Sequence, residues 1–277
     1  MSVLISATQL ARLIDAGQRV AILDVRWRID EPDGRAAYQR GHLPGAVYVS
    51  LEDELSDHST VGRGRHPLPS GRSIEAAARR WGIRDGVPTV VYDDWNRAGS
   101  ARAWWVLTAA GIADVCILDG GLAAWRSVGR DLSTDPVEPP PGNATVTHQD
   151  LYDGALPTLT AQQVGEVDLL DARAPERFRG EIEPIDPVAG HIPGATNLPS
   201  SAMLNPDGTF LAHDAIAGLL ADRDVDDTRI GAYCGSGVTA AVTVAALAAA
   251  GYRAALFPGS WSQWSSDSDN PVARGDD

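Results

Sequence analysis

The chain has 277 residues, long for one domain and suited to two. Hydrophobic residues make up 44% and charges are mixed through the sequence, a composition that excludes a disordered chain and implies a packed globular one. The 23 basic and 37 acidic residues leave a formal net charge of −14, which argues against nucleic acid and anionic membrane surfaces as partners; an anionic ligand would need a local basic pocket.

Two cysteines, Cys116 and Cys234, do not make a disulfide framework in a chain of this size, and a reducing compartment is expected. Met1 to Ser6 lacks the basic head and apolar core of a signal peptide, and no stretch reaches the length of a membrane span. The expected location is the cytoplasm.

In chain order, Ser6 reads as the N-cap of a helix running to about Ala16. Val20 to Val25 is a strand with little polar interruption, as in a parallel sheet covered on both faces. A turn-rich connector, Tyr38 to Ala46, leads to a short strand at Val47 to Val49. Residues 52–73 are polar and rich in turn formers, so a long surface loop is expected. A helix over Ile74 to Trp81 and a buried strand over Pro88 to Tyr92 follow, the strand ending at Asp93. A helix from Ala101 to Ala110 closes at Gly111. Val115 to Leu118 is a strand in which Cys116 is expected to be an inert buried thiol, and a short helix around Ala123 to Trp125 comes next.

The second half repeats this order. Leu169-Leu170-Asp171-Ala172-Arg173 answers Ile22-Leu23-Asp24-Val25-Arg26, and Gly190-His191-Ile192-Pro193-Gly194-Ala195 answers Gly41-His42-Leu43-Pro44-Gly45-Ala46. Ala232-Tyr233-Cys234 answers Val91-Tyr92-Asp93, and Gly259-Ser260-Trp261 answers Gly120-Gly121-Leu122. Offsets stay near about 140–150 residues throughout. The chain is therefore read as two copies of one α/β unit, each a mostly parallel sheet flanked by helices. The boundaries assigned are 1–135 and 158–277, with a linker at 136–157; Ser133 to Gly142 alone carries four prolines and two acids.

One stretch distinguishes the copies. Cys234 ends an apolar strand, Gly235-Ser236-Gly237-Val238-Thr239 forms a tight loop, and an alanine-rich helix follows. This arrangement aims backbone N–H groups and a helix N-terminus at the sulfur, a setting that favours the thiolate. The first copy has Asp93 at the equivalent place and a bulkier loop, so it is expected to be catalytically inactive. The reading requires a sulfur that a small reagent can reach and loop amides that face it.

A thiolate in such a nest can attack phosphorus or a sulfane sulfur. Cysteine phosphatases place an arginine six residues after the cysteine, where this chain has Ala240, so phosphatase action is the poorer fit. A persulfide is small and singly charged, which a neutral loop accommodates. A non-catalytic sulfur carrier or a redox-sensing binding protein is the alternative from another class. Of the six histidines, His42 and His191 occupy equivalent turns and are read mainly as turn-pinning residues; no metal-ligand spacing emerges.

The motifs Leu170-Asp171-Ala172-Arg173, Arg177-Phe178-Arg179-Gly180, Gly190-His191-Ile192-Pro193-Gly194-Ala195, Cys234-Gly235-Ser236-Gly237-Val238-Thr239-Ala240 and Gly259-Ser260-Trp261 together resemble the tandem-domain rhodanese family, which includes thiosulfate and 3-mercaptopyruvate sulfurtransferases. The resemblance covers nearly the whole chain. It implies two rhodanese-like domains and transfer of sulfane sulfur from a small anionic donor to cyanide, a thiol or a protein cysteine. It implies Cys234 as the persulfide carrier, no cofactor beyond that covalent intermediate, and donor binding by Arg177 with Gly235, Ser236, Gly237, Val238 and Thr239. A Cys-Gly-Ser-Gly-Val-Thr loop goes with 3-mercaptopyruvate in that family, and a Cys-Arg-Lys-Gly-Val-Thr loop with thiosulfate. The mercaptopyruvate enzymes also carry a second arginine in a Glu-Pro segment. Here that segment is Glu183-Pro184-Ile185-Asp186 and the arginine is missing. An Asp–His–Ser relay of that subfamily maps onto Asp33, His42 and Ser236.

Overall fold

The fold was analysed in a computed structural model, in which residues 2–276 are described. The chain divides into two compact units. The first comprises residues 1–57, 68–156 and 205–210; the second comprises 58–67, 157–204 and 211–277.

The first unit is built on strands β1 (Leu4–Ile5), β2 (Ala21–Asp24), β3 (Val47–Tyr48), β4 (Thr89–Tyr92) and β5 (Val115–Leu118). They pair in the order β1-β5-β4-β2-β3, every pair parallel. Ser6 caps the helix Ala7–Asp15 with a full capping box, its hydroxyl accepting from the Gln9 amide while the Gln9 side chain accepts from the Ser6 amide. The helix Ala98–Ala109 is buried almost all round, which its Ala, Gly and Trp content permits. Leu10, Ile22, Val90, Tyr92, Leu118 and Trp125 form much of one core cluster.

The second unit repeats the plan with β6 (Asp168–Asp171), β7 (Thr196–Asn197), β8 (Ile230–Tyr233) and β9 (Ala254–Leu256), ordered β7-β6-β8-β9 and again all parallel. A parallel bridge from Thr158 to Leu256 takes the place that β1 holds in the first unit. The helix Ala240–Ala249 is buried from Ala240 to Leu247, since alanine and valine offer no polar face. Tyr233, Phe257, Trp261, Phe178 and Ile192 pack together beside the sheet.

Two expectations change. Residues 52–73 are not a plain surface loop: a helix spans Leu51–Glu54, another starts at Gly71, and Leu55, Ser56, His66 and Leu68 are buried. Residues 58–67 belong to the second unit although they lie early in sequence. Cys116 is half-buried rather than buried, its sulfur 3.1 Å from the Ser2 carbonyl oxygen. Burial and the nearby Asp114 hold its thiol pKa above the usual range.

The proline-rich stretch assigned as a linker groups with the first unit through residue 156. The Gly142 amide donates to the Arg79 carbonyl at 2.7 Å, and Ala144 is fully buried. Prolines here limit the freedom of a segment that lies against its own unit.

Candidate active site

In the second sheet the chain moves from β6 to β7 on one side and then to β8 on the other. Ligand sites of open parallel sheets form at the carboxyl ends of strands flanking such a reversal. The segments leaving β6 and β8 there carry Arg173, Arg177, which lies in the short helix Pro175–Phe178, and Cys234.

Cys234 follows β8 directly. Trp261 N–H donates to the Cys234 carbonyl and Ser262 N–H to the Gly235 carbonyl, each at 2.9 Å. With those carbonyls held outward, the Gly237 amide faces inward and lies 3.2 Å from the Cys234 sulfur. Gly237 has φ +75°, and a Cβ there would sit 2.4 Å from the Pro258 carbonyl oxygen, so glycine is required. The Cys234 amide itself donates to the Ser260 hydroxyl at 3.1 Å, and Ser260 donates in turn to the Phe257 carbonyl. The Gly259-Ser260-Trp261 motif is thus the frame that shapes the cysteine loop.

Cys234 is only 1% exposed, which departs from the expectation of an openly reachable thiol. Its neighbour Gly235 has two arginine side chains beside it. A Cβ built on Gly235 would meet Nη2 of Arg65 at 3.2 Å and Nη1 of Arg177 at 3.4 Å. Two guanidinium edges therefore converge on the glycine beside the sulfur. The Arg177 and Arg65 side chains are 17% and 29% exposed.

Behind the arginines lies a row of alternating charge. Arg177 Nε and Nη2 donate to Glu183, and Nη2 also reaches Asp186 at 3.3 Å. Arg65 Nη1 donates to Asp186 at 2.6 Å. Glu183 and Asp186 are 3% and 4% exposed. Arg173 contacts Glu183 at 3.5 Å, binds both oxygens of buried Asp171, and stacks over Trp261. Burial alone would pull the Arg173 pKa down, but the Asp171 carboxylate overrides it and the pKa is raised. Arg173 is committed to structure, while Arg65 and Arg177 present cations at the surface of the loop.

The Asp33–His42–Ser236 relay is not assembled. Nδ1 of His42 is 3.0 Å from the Tyr38 carbonyl and the ring stacks on Tyr38 at 4.0 Å. Asp33 accepts from the Tyr48 hydroxyl and the Arg35 amide. The partner of the Ser236 hydroxyl is His66, whose Nδ1 lies 2.7 Å away, both side chains being buried. His58 packs edge-on against His66. His191 mirrors His42: it stacks on Phe178 at 3.7 Å and contacts the Phe178 carbonyl, pinning a turn.

The roles of His66, Arg65, Glu183 and Asp186 escaped the sequence reading, which named Glu183 and Asp186 only in the segment that lacks the second arginine. The available signal was Gly62-Arg63-Gly64-Arg65-His66, a basic stretch in an acidic chain with no counterpart in the second copy. Val238 and Thr239 lead into the helix that starts at Ala240.

In the first unit the same bowl is already filled. Asp93 Oδ1 accepts from the amides of Trp95 and Arg97, and Oδ2 from the amide and hydroxyl of Ser100. Leu122 N–H donates to the Asp93 carbonyl as Trp261 does to that of Cys234. A carboxylate thus occupies its own anion nest.

The description "rhodanese-like domain" matches residues 6–128 and 157–267. A Mycobacterium tuberculosis protein carrying the provisional name thiosulfate sulfurtransferase SseB is 67% identical over 276 residues, 99% of this chain and 97% of the relative. A Pseudomonas aeruginosa protein provisionally named 3-mercaptopyruvate sulfurtransferase is 44% identical over 99% of this chain and 98% of its own. The crystal structure of SseA from Escherichia coli, described as a 3-mercaptopyruvate sulfotransferase, superposes with a TM-score of 0.81 and 31% identity, covering 95% of this chain and all of that one. The chain belongs to the rhodanese family, with two rhodanese-like domains. Within that family it is a sulfurtransferase. No helix among the described residues is long and apolar enough to cross a membrane.

Proposed function

We propose that this sulfurtransferase works in two steps through a persulfide on Cys234, with a 2-oxo thiol of the 3-mercaptopyruvate type as its preferred donor. The Cys234 thiolate attacks the donor's thiol sulfur. A sulfur–sulfur bond forms, the carbon–sulfur bond breaks, and its electron pair passes to the methylene carbon as the enolate of pyruvate. The enolate takes the proton released from the thiol. The Gly237 amide, 3.2 Å from the sulfur, supports the resulting persulfide anion. Arg177 holds the donor's carboxylate. In the second step cyanide, a thiol or a protein cysteine attacks the outer sulfur, and Cys234 leaves as thiolate. Neither step calls on a cofactor or a nucleic-acid or membrane partner. A free catalytic thiol suits the reducing cytoplasm.

The observation that carries the donor choice is the His66–Ser236 pair beside the sulfur-bearing loop. A hydroxyl tied to an imidazole can hydrogen-bond the carbonyl oxygen as negative charge develops on it. Cleavage of thiosulfate creates no enolate and has no use for that pair.

The convergent guanidinium nitrogens and the name of the M. tuberculosis relative favour thiosulfate as the second reading. The test is kcat/KM for each donor to cyanide. The expected result is a preference for 3-mercaptopyruvate of at least about tenfold; a preference for thiosulfate overturns the donor assignment. Sulfur transfer retained by Cys234→Ser would overturn the persulfide. A single gained sulfur without turnover would make the protein a carrier.

A further inference from the structure

The segment Glu183-Pro184-Ile185-Asp186 has no arginine, yet a second arginine stands at the site. It is Arg65, from the stretch 58–67, whose basic residues have no counterpart in the second copy. The backbone of this stretch is seated on the frame of the cysteine loop. Arg65 N–H donates to the Ser262 hydroxyl at 3.0 Å, and Ser262 donates to the Gly259 carbonyl. Gly64, with φ +83°, has the Gly259 carbonyl 2.4 Å from where a Cβ would lie. No other residue type allows that approach without a shift.

The side chain is equally constrained. Nη1 of Arg65 is committed to Asp186, which turns Nη2 toward Gly235. Arg177 is arranged the same way: Nε and Nη2 are committed to Glu183, and Nη1 turns toward Gly235. Among the described residues neither inward nitrogen has a protein hydrogen-bond partner. Both point at the glycine adjoining the reactive sulfur.

We propose that Arg65 is a donor-binding residue, oriented by Asp186, and that the Arg65–Asp186 pair makes the site select a singly charged donor end over a doubly charged one. This rests on the persulfide reading above and deepens it. Two guanidinium groups and two carboxylates cancel in formal charge, so the local field rewards one donor charge weakly and two hardly better. The inward nitrogens still offer one hydrogen bond each, which fits the two oxygens of a carboxylate. A thiosulfate dianion would leave uncompensated charge next to Asp186 and Glu183. Asp186 touches the arginines rather than the donor and is a positioning residue.

The test uses the full-length protein with Arg65→Met, Arg65→Lys and Asp186→Asn, folding being checked by circular dichroism and thermal midpoint. Steady-state kinetics are measured for both donors. Cys234 preloaded by inorganic polysulfide is discharged to dithiothreitol in a single turnover. Arg65→Met is expected to raise KM for 3-mercaptopyruvate about ten- to a hundredfold, with a smaller effect on kcat and discharge within about twofold of wild type. Arg65→Lys recovers part of the KM. Asp186→Asn shifts the kcat/KM ratio toward thiosulfate by roughly three- to tenfold. An unchanged KM for both donors in Arg65→Met, or an unchanged donor ratio in Asp186→Asn, overturns the proposal. If the Arg65 variants do not fold, Asp186→Asn decides alone. Absence of any persulfide on wild-type Cys234 sinks the underlying reading instead, so the two failures are distinguishable.

Discussion

Nδ1 of His66 lies 2.7 Å from Oγ of Ser236, two residues beyond Cys234. A buried hydroxyl with an imidazole partner is a polar pair whose members satisfy each other, and its cost is justified by chemistry next to the sulfur. Ser236→Ala and His66→Gln are expected to lower kcat for 3-mercaptopyruvate by about a hundredfold, the order of a lost general acid. With thiosulfate the loss should stay within a few fold. Equal losses with both donors would show that the pair shapes the loop and takes no part in the chemistry.

Gly235 and Gly237 sit in one loop but predict opposite phenotypes. A Cβ at Gly237 meets the Pro258 carbonyl at 2.4 Å in a backbone region where side chains are strained. Gly237→Ala should cost at least about 2 kcal/mol and abolish sulfur loading, because the amide on the sulfur must turn away. A Cβ at Gly235 meets only the far ends of two arginine side chains, at 3.2 Å and beyond. Gly235→Ala should keep a near-native thermal midpoint while raising donor KM several-fold. Thermal melts and donor titrations on both variants decide; loss of the fold in Gly235→Ala would contradict the geometry.

Asp93 and Cys234 end equivalent strands, yet the first bowl holds a carboxylate bonded by three amides and a hydroxyl. Buried Arg97 further fills that site, bonding Asp93 and the Trp95 carbonyl. A double variant, Asp93→Cys with Cys234→Ser, is therefore expected to show no sulfur transfer. Removing the acceptor leaves those donors and the guanidinium without their partner, so the same variant should also melt at lower temperature. Transfer by this double variant would mean that sulfur chemistry needs only a cysteine at the strand end.

The repeat made the architecture legible before any coordinates. Apolar strand segments at matching offsets carry the sheet, and the Asp-x-Arg and Gly-His-x-Pro-Gly-Ala motifs mark the same positions in both units. Cys234 and its loop were equally legible, because a thiol followed by glycines before an alanine-rich helix has few other uses. The Ser236 partner was not. His42 sits in a motif and attracted the relay, but that motif pins a turn by stacking on Tyr38. His66 and Arg65 lie in irregular chain, where neither periodicity nor repetition constrains position. What seats them is a close approach of backbone at Gly64 and one hydrogen bond to Ser262, contacts that no spacing rule encodes.

Asp24 gives the first unit a pH signature. Burial drives its carboxyl pKa up, and the Arg26 guanidinium and Tyr92 hydroxyl pull it back only part of the way, leaving it at about 6, well above the usual carboxylate range. The folded state therefore prefers the protonated acid relative to the unfolded chain. That contribution to stability is fully present below the unfolded value and is lost as pH rises through about 6. Its size is at most roughly 3 kcal/mol. Asp24→Asn cannot titrate there, though it lowers stability at every pH by depriving buried Arg26 of its partner. The stability gap between the variant and the wild type should therefore shift in favour of the variant as pH is raised from about 4 to about 7, by up to that amount. Urea titrations across this window measure the gap; a constant gap would show that folding leaves the Asp24 carboxyl unshifted, and one moving the other way that the fold favours its ionised form.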